Sequence, residues 1–145
     1  MTNGEHARIV SILAEVLDGQ HWDRLGEVFH TEATLEFPQS GERFRGLANI
    51  RAQFENYPAL AVGTTRLSEL VSDEHYALTP TYTVIRVEGA GERGTAILRT
   101  RYSDGTNWWV INIHEFREGL LTRVITYFAP DFEAPDWRGP YREAP

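Results

Sequence analysis

Asn112 and His114 stand two positions apart on a segment that is otherwise apolar, and they are the residues of this chain best placed to do chemistry. Across residues 106–128 (TNWWVINIHEFREGLLTRVITYF) a period-2 alternation predicts two strands about a short turn at Arg117-Glu118-Gly119. Trp108, Val110, Asn112, His114 and Phe116 share one face of the first strand, and Trp109, Ile111 and Ile113 share the other. An apolar face carrying one amide and one imidazole is the pattern of a pocket with a few placed polar groups. The Asn112 amide can donate to a ketone or enolate oxygen without a proton of its own to manage. A neutral His114 in such surroundings can act as acid or base near neutral pH. Each residue also has a plainer reading: Asn112 bonded to neighbours or buried water, and His114 a satisfied core histidine.

Other side chains have weaker claims. Tyr102, on the face of Ala96, Leu98 and Thr100, offers a phenolic donor; Thr126, on the face of Val124 and Phe128, could position a water but cannot replace a carboxylate base. Glu36 alternates with Phe37, so if Phe37 points inward Glu36 is a surface carboxylate. Asp73-Glu74-His75 could supply a rim base but is also ordinary turn composition, and His21 and His30 read as exposed or terminal. The five histidines lack the spacing that would bring two onto one face beside an acid, so no metal is expected. There is no Gly-rich phosphate loop and no nucleophile elbow, and no cofactor is expected.

These residues need a scaffold. Residues 5–18 carry Ile9, Ile12, Leu13, Val16 and Leu17 at helical spacing, with Gly19 as a stop. A short helix is predicted over 21–30, burying Trp22, Leu25 and Phe29, then a strand over 31–37 and a brief one at ERFR. A third helix over 46–57 ends at Pro58. Strands follow over 64–71 and 75–87, then a polar loop over 90–94. Another strand spans 95–102 and is joined to the 106 strand across Ser103-Asp104-Gly105. Helices first and an antiparallel meander after make an α+β fold, with the helices on one side of a curved sheet. Residues 1–130 form one domain, and 131–145 a Pro- and aromatic-rich tail that packs on the domain or on a dimer partner.

A chain of 145 residues with 41% apolar content and four Trp can bury roughly two-thirds of its unfolded surface, so it has a real core. The net charge of −7, with Arg residues interleaved among acids, excludes a general nucleic-acid or anionic-membrane binder. With no cysteine there is no disulfide and no thiolate chemistry, which suits a reducing compartment. No signal peptide and no membrane span is read, and the expected location is the cytoplasm. Trp109, Ile111, Ile113, Ile125 and Tyr127 form an outer apolar patch too large to leave wet, which points to a homodimer.

The order of elements, with HWDRLGEVFHTEATLEFP near the start and INIHEFREGLLTRVITYF near the end, resembles the nuclear-transport-factor-2-like superfamily, and within it the SnoaL-like branch. The resemblance covers roughly residues 5 to 130. It implies a cystatin-like α+β barrel, a cone-shaped curved antiparallel sheet wrapped around three N-terminal helices, with a pocket at the wide end. It also implies membership among isomerases, polyketide cyclases, epoxide hydrolases, dehydratases and non-catalytic modules, and dimers formed through the outer sheet face. The positions of the steroid isomerases' base and oxyanion donors correspond to Phe37, Leu13 and Asn112 here, and that of the epoxide hydrolases' last-strand acid to Thr126. The usual carboxylates are thus replaced. The expected site has Asn112 as oxyanion donor and His114 as acid/base. Trp108, Val110, Phe116, Phe37, Leu13, Tyr102, Thr126 and Phe128 are expected to shape a pocket for a small apolar oxygenated metabolite. The expected chemistry is cofactor-free isomerisation, cyclisation, dehydration or hydration; the alternative is a non-catalytic ligand-binding or dimeric assembly module.

Overall fold

Thr2 and Glu5 start the first helix, α1 (Asn3–Gly19), with a reciprocal capping box: Thr2 Oγ1 accepts from the Glu5 N–H and Glu5 Oε2 accepts from the Thr2 N–H. At the other end Gln20, not Gly19, takes the left-handed conformation (φ 54°), and the N–H groups of Gln20 and His21 close on the carbonyls of Leu17 and Val16. At Gly19 a Cβ would lie 2.3 Å from the exposed His21 ring, which would have to turn aside. The structure is a computed structural model and describes residues 1–56, 82–101 and 106–143. The strand expected over 64–71, the start of that over 75–87, Asp73-Glu74-His75, the end of the third helix at Tyr57, the 103–105 turn and Tyr102 lie outside the described residues.

After α1 come a 3-10 helix (Trp22–Glu27), β1 (Phe29–Phe37), β2 (Glu42–Arg45), α2 (Leu47–Glu55), β3 (Tyr82–Ala90), β4 (Arg93–Arg101), β5 (Asn107–Arg117), β6 (Leu120–Pro130) and a 3-10 turn (Asp136–Tyr141). The second helix is therefore shorter and tighter than the expected 21–30, and Phe29 and His30 open β1 instead. The described strands form one curved, unclosed sheet in the order β2-β1-β6-β5-β4-β3. All neighbours are antiparallel except β1 and β6, which run parallel, with Leu35 beside Val124 and Glu36 beside Ile125. The fold is the expected α+β, with a mixed sheet in place of a purely antiparallel one.

The β5–β6 hairpin turns through Glu118 and Gly119, both at positive φ (52° and 79°), as a two-residue hairpin matched to strand twist requires. A bulge follows: Glu115 pairs with Arg123 but Phe116 with Leu121, and the intervening Thr122 hydroxyl donates to the Glu115 carbonyl. The register beyond it directs Val124, Thr126 and Phe128 to the same side as Val110, Asn112 and His114.

Helix α1 buries a wider arc than the expected stripe. Ile9, Leu13, Val16 and Leu17 pack with Leu25, Phe29, Leu35, Ile50 and Val124, while Val10 and Ala14 pack with Val87, Ala96, Leu98 and Val110. A second stripe at spacing four, His6-Val10-Ala14-Asp18, is buried throughout and carries a polar residue at each end. The helix thus lies in the concavity of the sheet, wedged between two apolar clusters. Among the described residues no helix is long and apolar enough to cross a membrane.

Candidate functional site

A cavity of about 60 Å³ opens between the two clusters. Val10, Leu13, Ala14 and Leu17 of α1 form one wall; Phe29, Leu35 and Phe37 of β1 form another; Gln53 and Phe54 come from α2. The sheet supplies Leu98, Val110, Asn112, His114, Val124, Thr126 and Phe128. Four of these residues are polar and none is a carboxylate, so the polar work falls to Gln53, Asn112, His114 and Thr126. A space of this size seats the reactive end of a ligand rather than the roughly 300–1,000 Å³ of a drug-sized molecule.

Asn112 and Thr126 face each other across β5 and β6, and the Thr126 hydroxyl donates to Asn112 Oδ1 at 2.7 Å. This bond spends the amide's acceptor and leaves its NH₂ group as the free end. On β4 the neighbours of Asn112 and His114 are Ala96 and Gly94, so small residues make room beside each polar one. His114 is 1% exposed and neither ring nitrogen has a partner among the described residues. Burial first, and the nearby His6 second, push its pKa down to about 4, so the ring is neutral at neutral pH. Gln53 Oε1 is likewise buried without a partner.

At the cavity edge Phe37 packs edge-on to Phe44 and Phe128. Gln39 pins that corner, its amide donating to the Phe128 carbonyl and accepting from the Phe128 N–H.

Seven of the expected pocket residues line this cavity: Leu13, Phe37, Val110, Asn112, His114, Thr126 and Phe128. Two do not. Phe116 keeps the inner face but is buried in the core against the His6 and His114 rings, and Trp108 is half-buried, its indole N–H donating to Thr106 Oγ1. Tyr102 lies outside the described residues. Glu36 faces outward as expected, yet it is buried between Arg43 and Arg123, which hold its carboxyl below the usual range.

Two buried polar residues escaped the sequence reading. His6 is fully buried, its Nε2 3.0 Å from the Gly91 carbonyl oxygen. Asp18 is buried at the end of α1, where burial pushes its carboxyl up to about 7. The spacing-four stripe through Val10 and Ala14 was the signal for both, and the pair Gly89 and Gly94 was a second one for His6. Among the described residues no group of three or more His, Cys, Asp or Glu could hold a metal ion.

Residues 10–124 match the family profile of the SnoaL-like domain. No functionally curated protein matches the chain. Among solved structures it is similar to an NTF-2-like protein of unknown function from Burkholderia xenovorans LB400, at 23% identity and a TM-score of 0.77 over 99% of this chain and 98% of that one. A candidate ketosteroid isomerase from Kribbella flavida DSM 17836 matches at 18% identity and a TM-score of 0.75, over 98% and 90%. An LEH-like epoxide hydrolase from M. tuberculosis matches at 15% identity and 0.61, over 87% and 84%. At these identities the likeness is one of fold.

Proposed function

The chain belongs to the SnoaL-like domain family, and on that premise we propose that its cavity binds a small, mostly apolar oxygenated metabolite and turns it over without a cofactor. The observation that carries this reading is the Asn112 amide, oriented by Thr126, beside a buried His114 without a hydrogen-bond partner among the described residues, in a mostly apolar cavity. In the proposed reaction a substrate carbonyl oxygen accepts from Asn112 Nδ2–H. The bare nitrogen of His114 takes a proton from the adjacent carbon, leaving an enolate on Asn112 and an imidazolium at His114. Returning the proton to a different carbon completes an isomerisation. A pKa of about 4 makes His114 a weak base in the empty cavity, but an enolate formed beside it offsets the burial penalty on the imidazolium. Gln53 Oε1 would accept from a hydroxyl farther along the ligand.

The test is a thermal-shift screen of ketones, enones, epoxides and aromatic polyketide-like compounds on wild type and Asn112→Leu. We expect hits whose stabilisation drops in the variant, with affinity about five- to tenfold weaker for one lost hydrogen bond. Turnover of those compounds should fall about 10²–10³-fold in Asn112→Leu, and should be lost in His114→Phe with binding retained. Hits indifferent to Asn112→Leu would sink the reading.

The lack of a carboxylate among the described lining residues favours one alternative, a non-catalytic binding module, which would show the same binding without turnover. We further propose a cytoplasmic homodimer through the outer sheet face, where Ile111, Ile113 and Tyr127 are 36%, 40% and 39% exposed. The tail, whose Phe132, Trp137 and Tyr141 are all exposed, would extend that face onto the partner.

A further inference from the structure

The two buried histidines are neighbours across one strand. Gly94 on β4 is the register partner of His114 on β5, and a Cβ built on Gly94 would lie 2.6 Å from His6 Nδ1. The His6 ring therefore stands where a side chain at position 94 would stand, beside His114. Paired strand residues keep their Cβ atoms about 5 Å apart, so His6 Nδ1 is within one-water reach of the His114 ring. Phe116 touches both rings edge-on, with centroids 4.6 Å from His6 and 5.9 Å from His114. Gly89, paired with Gly94, completes the cradle, since a Cβ there would lie 2.5 Å from the same nitrogen. Neither glycine has a positive φ. Their smallness serves the approach of His6, not the backbone.

The His6 tautomer follows from its partner. A carbonyl oxygen only accepts, so Nε2, 3.0 Å from the Gly91 oxygen, carries the hydrogen, and in the neutral ring Nδ1 is a bare acceptor. That acceptor has no partner among the described residues, and neither do the two nitrogens of His114. The hairpin does not need His6 to hold it. The Gly91 N–H already donates to the Met1 carbonyl, and the Gly89 N–H to Asn3 Oδ1. A residue kept for packing alone would do better without a buried acceptor.

We propose that His6 is a positioning residue for His114: its Nδ1 accepts a hydrogen bond relayed from one ring N–H of His114 across a single water. The bond fixes the His114 tautomer and leaves the bare nitrogen for the cavity. The order Gly91 carbonyl, His6, His114 then runs from an exposed turn to the cavity wall. This rests on the reading of His114 as the group that moves protons, but its test uses no substrate, so a protein without turnover leaves the outcome unchanged.

The test is long-range ¹H–¹⁵N correlation NMR on the ¹⁵N-histidine-labelled protein at neutral pH. In wild type, His6 should carry its proton on Nε2 and His114 should show one tautomer. His6→Phe should convert His114 to a mixture of tautomers, and His6→Asn, whose Oδ1 takes the place of Nδ1, should restore one. A proton on His6 Nδ1, a mixed His114 tautomer in wild type, or a His114 tautomer unmoved by His6→Phe each overturns the proposal. If His6→Phe does not fold, the wild-type protein decides. An Overhauser contact between the His114 ring N–H and His6 supports the bond, and its absence overturns it.

Discussion

The two faces of the sheet treat buried polar groups differently. On the outer face Glu36 is clasped by Arg43 at 2.7 Å and Arg123 at 2.5 Å. Arg99 makes two bonds to Asp131, at 2.6 and 2.7 Å, and lies 4.3 Å from the centre of the Trp109 ring, its Nε alone lacking a hydrogen-bond partner among the described residues. On the inner face His114, His6 Nδ1 and Gln53 Oε1 have no partner among the described residues. Charges that are closed on one another hold a structure together. Neutral polar atoms left open on the inner face, those of His114 and Gln53 in the cavity wall, make that face the candidate site.

Acid should break the two faces in different pH windows. His114 has a folded pKa near 4 against an unfolded 6.5, so between those values the unfolded chain binds the extra proton. Stability is therefore intact above about pH 6.5 and falls as pH drops toward 4, by about 3 kcal/mol for that group. Urea titrations of wild type and His114→Phe should diverge by that amount between pH 6.5 and 4, the variant being flatter. Parallel curves would mean that the imidazole is not desolvated.

Glu36 shifts stability in the same direction, in a more acid window and with a smaller effect. Its carboxyl is held down by Arg123 first and Arg43 second, so its contribution is present above about pH 4.5 and lost as pH falls through its lowered value. Glu36→Gln should cost about 1–2 kcal/mol at pH 7, and the two proteins should converge in strong acid. A constant gap down to low pH would show that shape, not charge, holds this corner.

What the sequence made legible was local. Alternation alone placed Asn112, His114 and Thr126 inward and Glu36 outward, because one pleat with one buried face leaves little choice of register. The helix stripe at Ile9, Leu13, Val16 and Leu17 was read from spacing. The parallel pairing of β1 with β6 was not legible, since it joins segments about ninety residues apart with no short-range signal. Nor were the surroundings of His6, though the spacing-four stripe marked the residue itself as inward: they are a glycine pair more than eighty residues away, and each glycine read by itself looks like part of a turn. Phe116 takes the inner face that alternation predicts, but alternation does not tell a core position from a cavity wall. The candidate site was visible where it depends on one strand and hidden where it depends on two distant ones.

The smallest expected change in the monomer belongs to the outer face, and it sharpens the comparison most. Ile113 is 40% exposed and is flanked in register by Thr95 and Ile125. Ile113→Lys should move monomer stability by no more than about 0.5 kcal/mol, yet it puts a charge in the middle of the proposed self-complementary patch. A stable interface needs about 800 Å² per subunit, and a row of half-exposed strand residues falls short of that alone. Phe132, Trp137 and Tyr141 offer roughly 150–250 Å² each. The tail leaves the sheet at Asp131, which Arg99 holds on the same outer face. Both parts are therefore required. Sedimentation velocity should give a dimer for wild type, and monomers both for Ile113→Lys and for a chain ending at Asp131. A monomeric wild type would end the dimer proposal. A dimer indifferent to tail removal would confine the interface to the strands, and would leave the exposed aromatics to a different partner.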